Sequence, residues 1–197
     1  AFLTLKHHYD LGHRRIAFMK GQRHIPDSEV RWQSILEMAR RTGIAVSAEL
    51  CIYLEANSLS PELGYPVVRD LLARTRDLTA IFCFNDIAAI GAVRALADAG
   101  LSCPYDISVV GFDDIASAMY PTPSLTTVRQ PLNRMGETAA QMLLRRIQSP
   151  HETYPEMITF EPELMVREST AAALISPAPP RRKETPAQVR SHRKRST

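Results

Sequence analysis

Four short apolar runs, each followed or preceded by a helical pattern, constrain this chain more than any other feature. They are Arg15–Lys20, Glu49–Leu54, Thr79–Phe84 and Ile107–Phe112. A strand that is apolar on both faces must be covered on both, and helices between parallel neighbours do this. The expected fold class is α/β: a parallel open sheet flanked by helices.

The helix signals fit that alternation. Phe2–Leu11 reads as helix and stops at Gly12. A second helix starts at Pro26-Asp27-Ser28, with Asp27 or Ser28 as N-cap, and runs to about Thr42 before Gly43. Val30, Ile35, Met38 and Ala39 are its expected apolar face, with Trp32 nearby. Ser60-Pro61 opens a third, burying Leu63, Val67, Leu71 and Leu72; Pro66 should kink or shorten its start. A fourth begins near Asp86, carries Ile87, Ile90, Val93, Leu96 and Ala97 as apolar positions, and ends at Gly100. Leu125–Val128 and Glu163–Arg167 are further extended runs. Between them Leu132–Ile147 is the cleanest amphipathic helix, with Leu132, Met135, Ala139, Met142, Leu143 and Ile147 on one face.

The 197 residues suit one domain or slightly more. No apolar run approaches the roughly 20 residues of a membrane span, and no signal peptide is visible after Ala1. The net charge of +3 hides an asymmetry: residues 171–197 carry +6 and residues 1–170 carry −3. The expected folded part, 1–170, therefore has no basic footprint for nucleic acid. Residues 171–197, small, Pro-rich and without periodicity, read as a disordered basic tail. Cys51, Cys83 and Cys103 form no C-x-x-C pair, and reduced thiols fit a cytoplasmic address. The histidines show no metal spacing, so no metal and no cofactor are expected.

In open parallel sheets ligands bind beyond the carboxyl ends of the strands. Lys20-Gly21-Gln22, Glu55-Ala56-Asn57, Asn85-Asp86 and Asp113-Asp114 follow the four runs. These amides and carboxylates can pair with hydroxyls of a sugar or polyol. Each also has a plainer explanation: Asn85 as a helix cap, Asp113 and Asp114 as turn residues. Catalysis finds little support, since there is no phosphate-binding glycine motif and no nucleophile elbow. A metal site from Asp86, Asp113 and Asp114 is the enzymatic alternative.

Five segments resemble, in order and spacing, the effector-sensing region of the LacI/GalR family of bacterial transcriptional regulators. They are Leu11–Phe18 (LGHRRIAF), Thr79–Asp86 (TAIFCFND), Ile107–Asp114 (ISVVGFDD), Leu125–Pro131 (LTTVRQP) and Pro162–Thr170 (PELMVREST). The resemblance implies a periplasmic-binding-protein-like (type I) lobe, a small-molecule effector such as a sugar or purine, and a homodimer. It implies operator DNA as a partner through a helix-turn-helix not seen in this sequence. It places ligand contacts at Arg31, Asn85, Asp113 and Leu59, and the dimer interface at Tyr120, Ile90 and Val93. Ser34 stands where the family's R-x-x-G pattern has glycine. Leucine at 59 stands where many members have a stacking aromatic, and supplies no π-face. Residues 1–124 and 161–170 would form the C-terminal lobe. Residues 125–150 would cross over to a first lobe that is otherwise missing, which leaves the 132–147 stripe without a sheet to cover. The expected function is the effector-binding and dimerisation portion of such a regulator, not an enzyme. The alternative is a periplasmic sugar-binding protein of a transport system.

Overall fold

The computed structural model describes residues 1–22, 26–54 and 63–174. Six strands form one sheet in the order β2-β1-β3-β4-β5-β6. They are β1 (Ile16–Lys20), β2 (Cys51–Tyr53), β3 (Ala80–Phe82), β4 (Ser108–Asp113), β5 (Thr126–Arg129) and β6 (Glu163–Met165). All neighbours are parallel except β5 and β6, which pair antiparallel with Arg129 opposite Glu163. Among the described residues five α-helices accompany them: α1 (Phe2–Asp10), α2 (Pro26–Thr42), α3 (Gly64–Arg74), α4 (Asp86–Asp98) and α5 (Leu132–Gln148). None is long and apolar enough to cross a membrane among the described residues.

The strand period of two divides the core. Ala17 and Met19 of β1, with Ile81 and Val109, pack under α3 and α4. Ile16 and Phe18, with Ala80 and Phe82, pack under α1 and α2. The parallel sheet is thus covered on both faces, as its apolar runs require.

Several local expectations need correction. Glu49 and Leu50 lie in a 3-10 turn, so β2 is only Cys51–Tyr53. The second helix has begun by Pro26, which puts Ser28 in its first turn rather than at its cap. Val30 is 69% exposed, because it lies on the side of α2 opposite the buried Ile35, Met38 and Ala39. Ser60 and Pro61 lie outside the described residues. The helix there begins at Gly64, so Pro66 falls in the first turn, where an N–H has no helical partner to lose. Val68, not Val67, is fully buried. On α4 the inward face is Ala88, Ala89, Ala92, Ala95 and Leu96, while Ile87, Ile90 and Val93 are half-buried and Ala97 is exposed. Small residues win that face because α3 lies very close: a Cβ on Gly64 would sit 1.8 Å from the Ala88 carbonyl oxygen. Beyond Thr170 the chain still runs along the folded part. The Ala173 N–H donates to Leu11 O at 2.8 Å, and Ala171 O accepts from His13 Nε2 at 3.0 Å. The rest of the basic tail, residues 175–197, lies outside the described residues.

That C-terminal segment packs against a histidine cluster. His8 is fully buried, edge-on to His13 with ring centroids 5.4 Å apart; His7 pairs with Thr170 Oγ1 at 3.0 Å. Burial pushes the His8 pKa well below its usual 6.5, and the charges of His13 and His7 push the same way. The unfolded chain therefore takes up a proton near pH 6.5 that folded His8 refuses. Its stabilising contribution is complete above that pH and declines as pH falls toward the folded pKa, by up to about 1.4 kcal/mol per pH unit. We expect the unfolding free energy of wild type to drop relative to His8→Leu between about pH 7 and about pH 5. Urea titrations giving the same difference at both pH values would contradict this.

Candidate functional site

The carboxyl edge of the sheet gathers the predicted residues. Lys20 ends β1, Tyr53 ends β2, Phe84 and Asn85 follow β3, and Phe112 and Asp113 end β4. Arg31, in the second turn of α2, reaches across this edge. Its Nη1 donates to the Phe84 carbonyl at 2.6 Å. Its guanidinium lies over the rings of Phe84 and Phe112, 4.4 and 4.0 Å from the centroids. Stacking between two rings holds the fork in one plane.

Asn85 caps α4: its Oδ1 accepts from the Ala88 N–H at 2.9 Å. The plainer reading of Asn85 therefore holds, yet the cap also fixes the side chain on the rim beside Phe84. Asp113 has φ +112° and Asp114 φ +53°, so the chain turns sharply where β4 ends. That turn keeps Asp113 at the edge, where its Oδ1 accepts from Gln130 Nε2 at 2.8 Å. Burial raises the Asp113 pKa, with the Gln130 hydrogen bond and the Arg31 charge opposing. Asp114 points the other way. It forms ion pairs with Arg129 at 2.6 Å and Arg167 at 2.5 Å, tying the end of β5 to the residues after β6. Burial works against its charge, but the two guanidiniums win and its pKa is lowered.

The structure thus brings Arg31, Asn85 and Asp113 to one rim. Leu59 lies outside the described residues. Ile90 and Val93 sit half-buried on the outer face of α4, and Tyr120 is 79% exposed. Gln130, Phe84 and Phe112 were missed as site residues. Gln130 follows β5, and the same reading of strand ends would have found it had it been carried to the fifth strand. The carboxylates of the metal alternative do not converge. Both Asp86 oxygens are taken, one by Thr127 Oγ1 and one by the Ile115 N–H at 2.9 Å, and Asp114 is held by arginines. Among the described residues no group of three candidate ligands is placed to hold a metal ion.

Stacked cation, amide and carboxylate therefore share one rim beyond the carboxyl ends of a parallel sheet. The model of the periplasmic binding protein-like domain matches residues 5–170, and the chain belongs to that family. Its relatives are LacI/GalR-type regulators. The HTH-type transcriptional repressor PurR of Erwinia tasmaniensis is 39% identical over 170 residues, 86% of this chain and 49% of that protein. A LacI family transcriptional regulator from Enterococcus faecium, solved with bound ribose, aligns with a TM-score of 0.76 and 32% identity, covering 88% of this chain and 62% of that one. The lac repressor dimer bound to operator and the anti-inducer ONPF aligns at 0.77 and 28%, covering 86% and 57%. The chain spans about half the length of the curated relatives it matches.

Proposed function

We propose that this chain is the effector-binding and dimerisation portion of a LacI/GalR-type transcriptional regulator, sensing a small hydroxylated ligand, most simply a sugar. The observation that carries this reading is the rim itself. Arg31 offers donors, Asn85 an amide, and Asp113 an acceptor oriented by Gln130. That set matches vicinal hydroxyls and includes no nucleophile paired with a base, which suits binding without turnover. Relatives that are repressors favour a cytoplasmic regulator over a transport protein. Operator DNA would be read by a helix-turn-helix outside this sequence.

In this reading α5 belongs with a first lobe. It buries no residue here, and Leu132, Leu143 and Ile147 are each more than half exposed. Ile90, Val93 and Tyr120 would meet a second copy.

The test is calorimetric titration of the chain with a panel of pentoses, hexoses and purine bases. For any that binds, Asp113→Ala should weaken affinity roughly ten- to hundred-fold, because it removes a charged hydrogen-bond acceptor at the rim. Its urea midpoint should stay close to wild type. Unchanged affinity in that variant would place the ligand elsewhere.

A further inference from the structure

Residues 170–174 run along α1 and the turn after it as a strap, and none of them is fully buried. Hydrogen bonds fasten it on the α1 side. His7 Nε2 shares one with Thr170 Oγ1 at 3.0 Å, His13 Nε2 donates to Ala171 O at 3.0 Å, and the Ala173 N–H donates to Leu11 O at 2.8 Å. On the sheet side Ser108 Oγ accepts from the Ala171 N–H at 3.1 Å, and Thr126 Oγ1 pairs with Thr170 Oγ1 at 3.2 Å. α1 is anchored more firmly, through Leu5 in the apolar core. The strap is therefore the element that opens at least cost.

His8 adjoins two of those fastenings. Its ring centroid lies 6.3 Å from that of His7 and 5.4 Å from that of His13. His8 is fully buried, and neither of its ring nitrogens makes a hydrogen bond among the described residues. Thr4 Oγ1, one turn earlier on α1, is buried without one as well. His13 differs: its Nδ1 meets Thr79 Oγ1 at 2.9 Å, a hydroxyl that can accept as well as donate. A proton on His13 can be accommodated in place. One on His8 needs water at its ring. For that a flanking ring must swing aside, and both flanking rings are tied to the strap.

No neighbouring charge stands ready to offset a proton on His8. Asp10 acts on His7 but pairs with Lys6, and Arg14 acts on His13. On α2, Glu37, Arg40 and Arg41 pair with one another and Glu29 with Gln33, all at exposed positions, while Arg31 stacks on Phe84 and Phe112. β3 carries no charged residue, Arg129 of β5 pairs with Asp114, and Glu163 of β6 is exposed. The strap itself has no ionisable side chain. Burial lowers the proton affinity of all three rings, most of all at His8. Each ring therefore favours the open strap as pH falls.

We propose that His8 is the proton sensor of an acid-sensitive latch, which holds residues 170–174 on α1 at neutral pH and releases them when the ring takes up a proton. The sheet stays intact on release, because Ser169 is buried and bridges two strands. Its Oγ donates to Val109 O at 2.6 Å and accepts from the Thr126 N–H at 2.8 Å. Release therefore begins at Thr170. The device does not depend on the effector-site reading.

Amide hydrogen exchange of the 197-residue chain tests this, with each rate corrected for the intrinsic dependence of exchange on pH. A ring that titrates at its ordinary 6.5 when open, and stays neutral when closed, makes opening about ten-fold more favourable at pH 5.5 than at pH 7.5. Protection of the Ala171 and Ala173 amides should fall by about that factor, while the amides of β3 stay better protected at both pH values. His8→Leu should lose most of the fall. His8→Gln, polar but never charged, should do the same and serves if leucine does not fold. Strap protection that is equal at both pH values overturns the proposal, and so does a fall as large in the His8 variants as in wild type. Exchange of strap and β3 amides at one common rate also overturns it, because the opening is then global unfolding.

Discussion

Gly64→Ala should destabilise the chain by about 3 kcal/mol, at the upper end of what overpacking a core usually costs. The added Cβ would lie 1.8 Å from the Ala88 carbonyl oxygen and 2.6 Å from its carbonyl carbon. These are backbone atoms of α4, so no rotamer change can relieve the clash. The helices must move apart, and every contact of the alanine face of α4 loosens with them. Gly136→Ala is the control: nothing lies within 4 Å of its Cβ, and in the middle of α5 it should be neutral or slightly stabilising. Urea midpoints measure both. A Gly64→Ala loss below about 1 kcal/mol would mean that the two helices are not held at this separation.

Asp86→Ala should cost about 3 kcal/mol for a different reason. It strands two donors in the interior, the Thr127 hydroxyl and the Ile115 N–H. Ile115 directly follows the Asp113-Asp114 turn, so the variant should also weaken effector binding, although Asp86 faces away from the rim. Asp86→Asn keeps an acceptor and should be milder. The pH dependence separates them further. Burial raises the Asp86 pKa from 3.8 to about 6, against the hydrogen bonds from Thr127 and Ile115. Between those values the folded state holds a proton that the unfolded chain has released. Asp86 therefore adds stability as pH falls from about 6 to about 4, opposite in sign to His8. Asp86→Asn should erase that gain. If wild type and Asp86→Asn follow parallel stability curves over this range, the carboxylate is not desolvated as described.

The sheet was legible because its strands are apolar on both faces, a pattern that few other architectures produce. The rim was legible in part: strand ends locate Asn85 and Asp113, whereas Arg31, on α2, was placed there only by the family resemblance. Packing partners were less visible. Ile87, Ile90 and Val93 look more hydrophobic than the alanines of α4, but the close approach at Gly64 selects the smaller side chains for the interior. Val30 faces outward because it lies about 140° around the helix from Ile35 and opposite Ala39, a phase that its apolar character alone does not reveal. The pairing of Gln130 with Asp113 spans two strands that are adjacent only once the sheet is assembled, and no local pattern encodes it.

The antiparallel edge has a consequence for how this molecule can change over evolution. The chain leaves the sheet at Arg129 and re-enters at Glu163, and these two residues are partners across β5 and β6. Asp114 fastens both sides of that seam through Arg129 and Arg167. Everything between is an insertion whose two ends coincide, and its one helix contributes nothing to the buried interior. Lengthening, shortening or exchanging that insertion leaves the order and register of all six strands untouched. The sheet is thus a chassis with a single mounting point, on which the excursion can be rebuilt without refolding the frame.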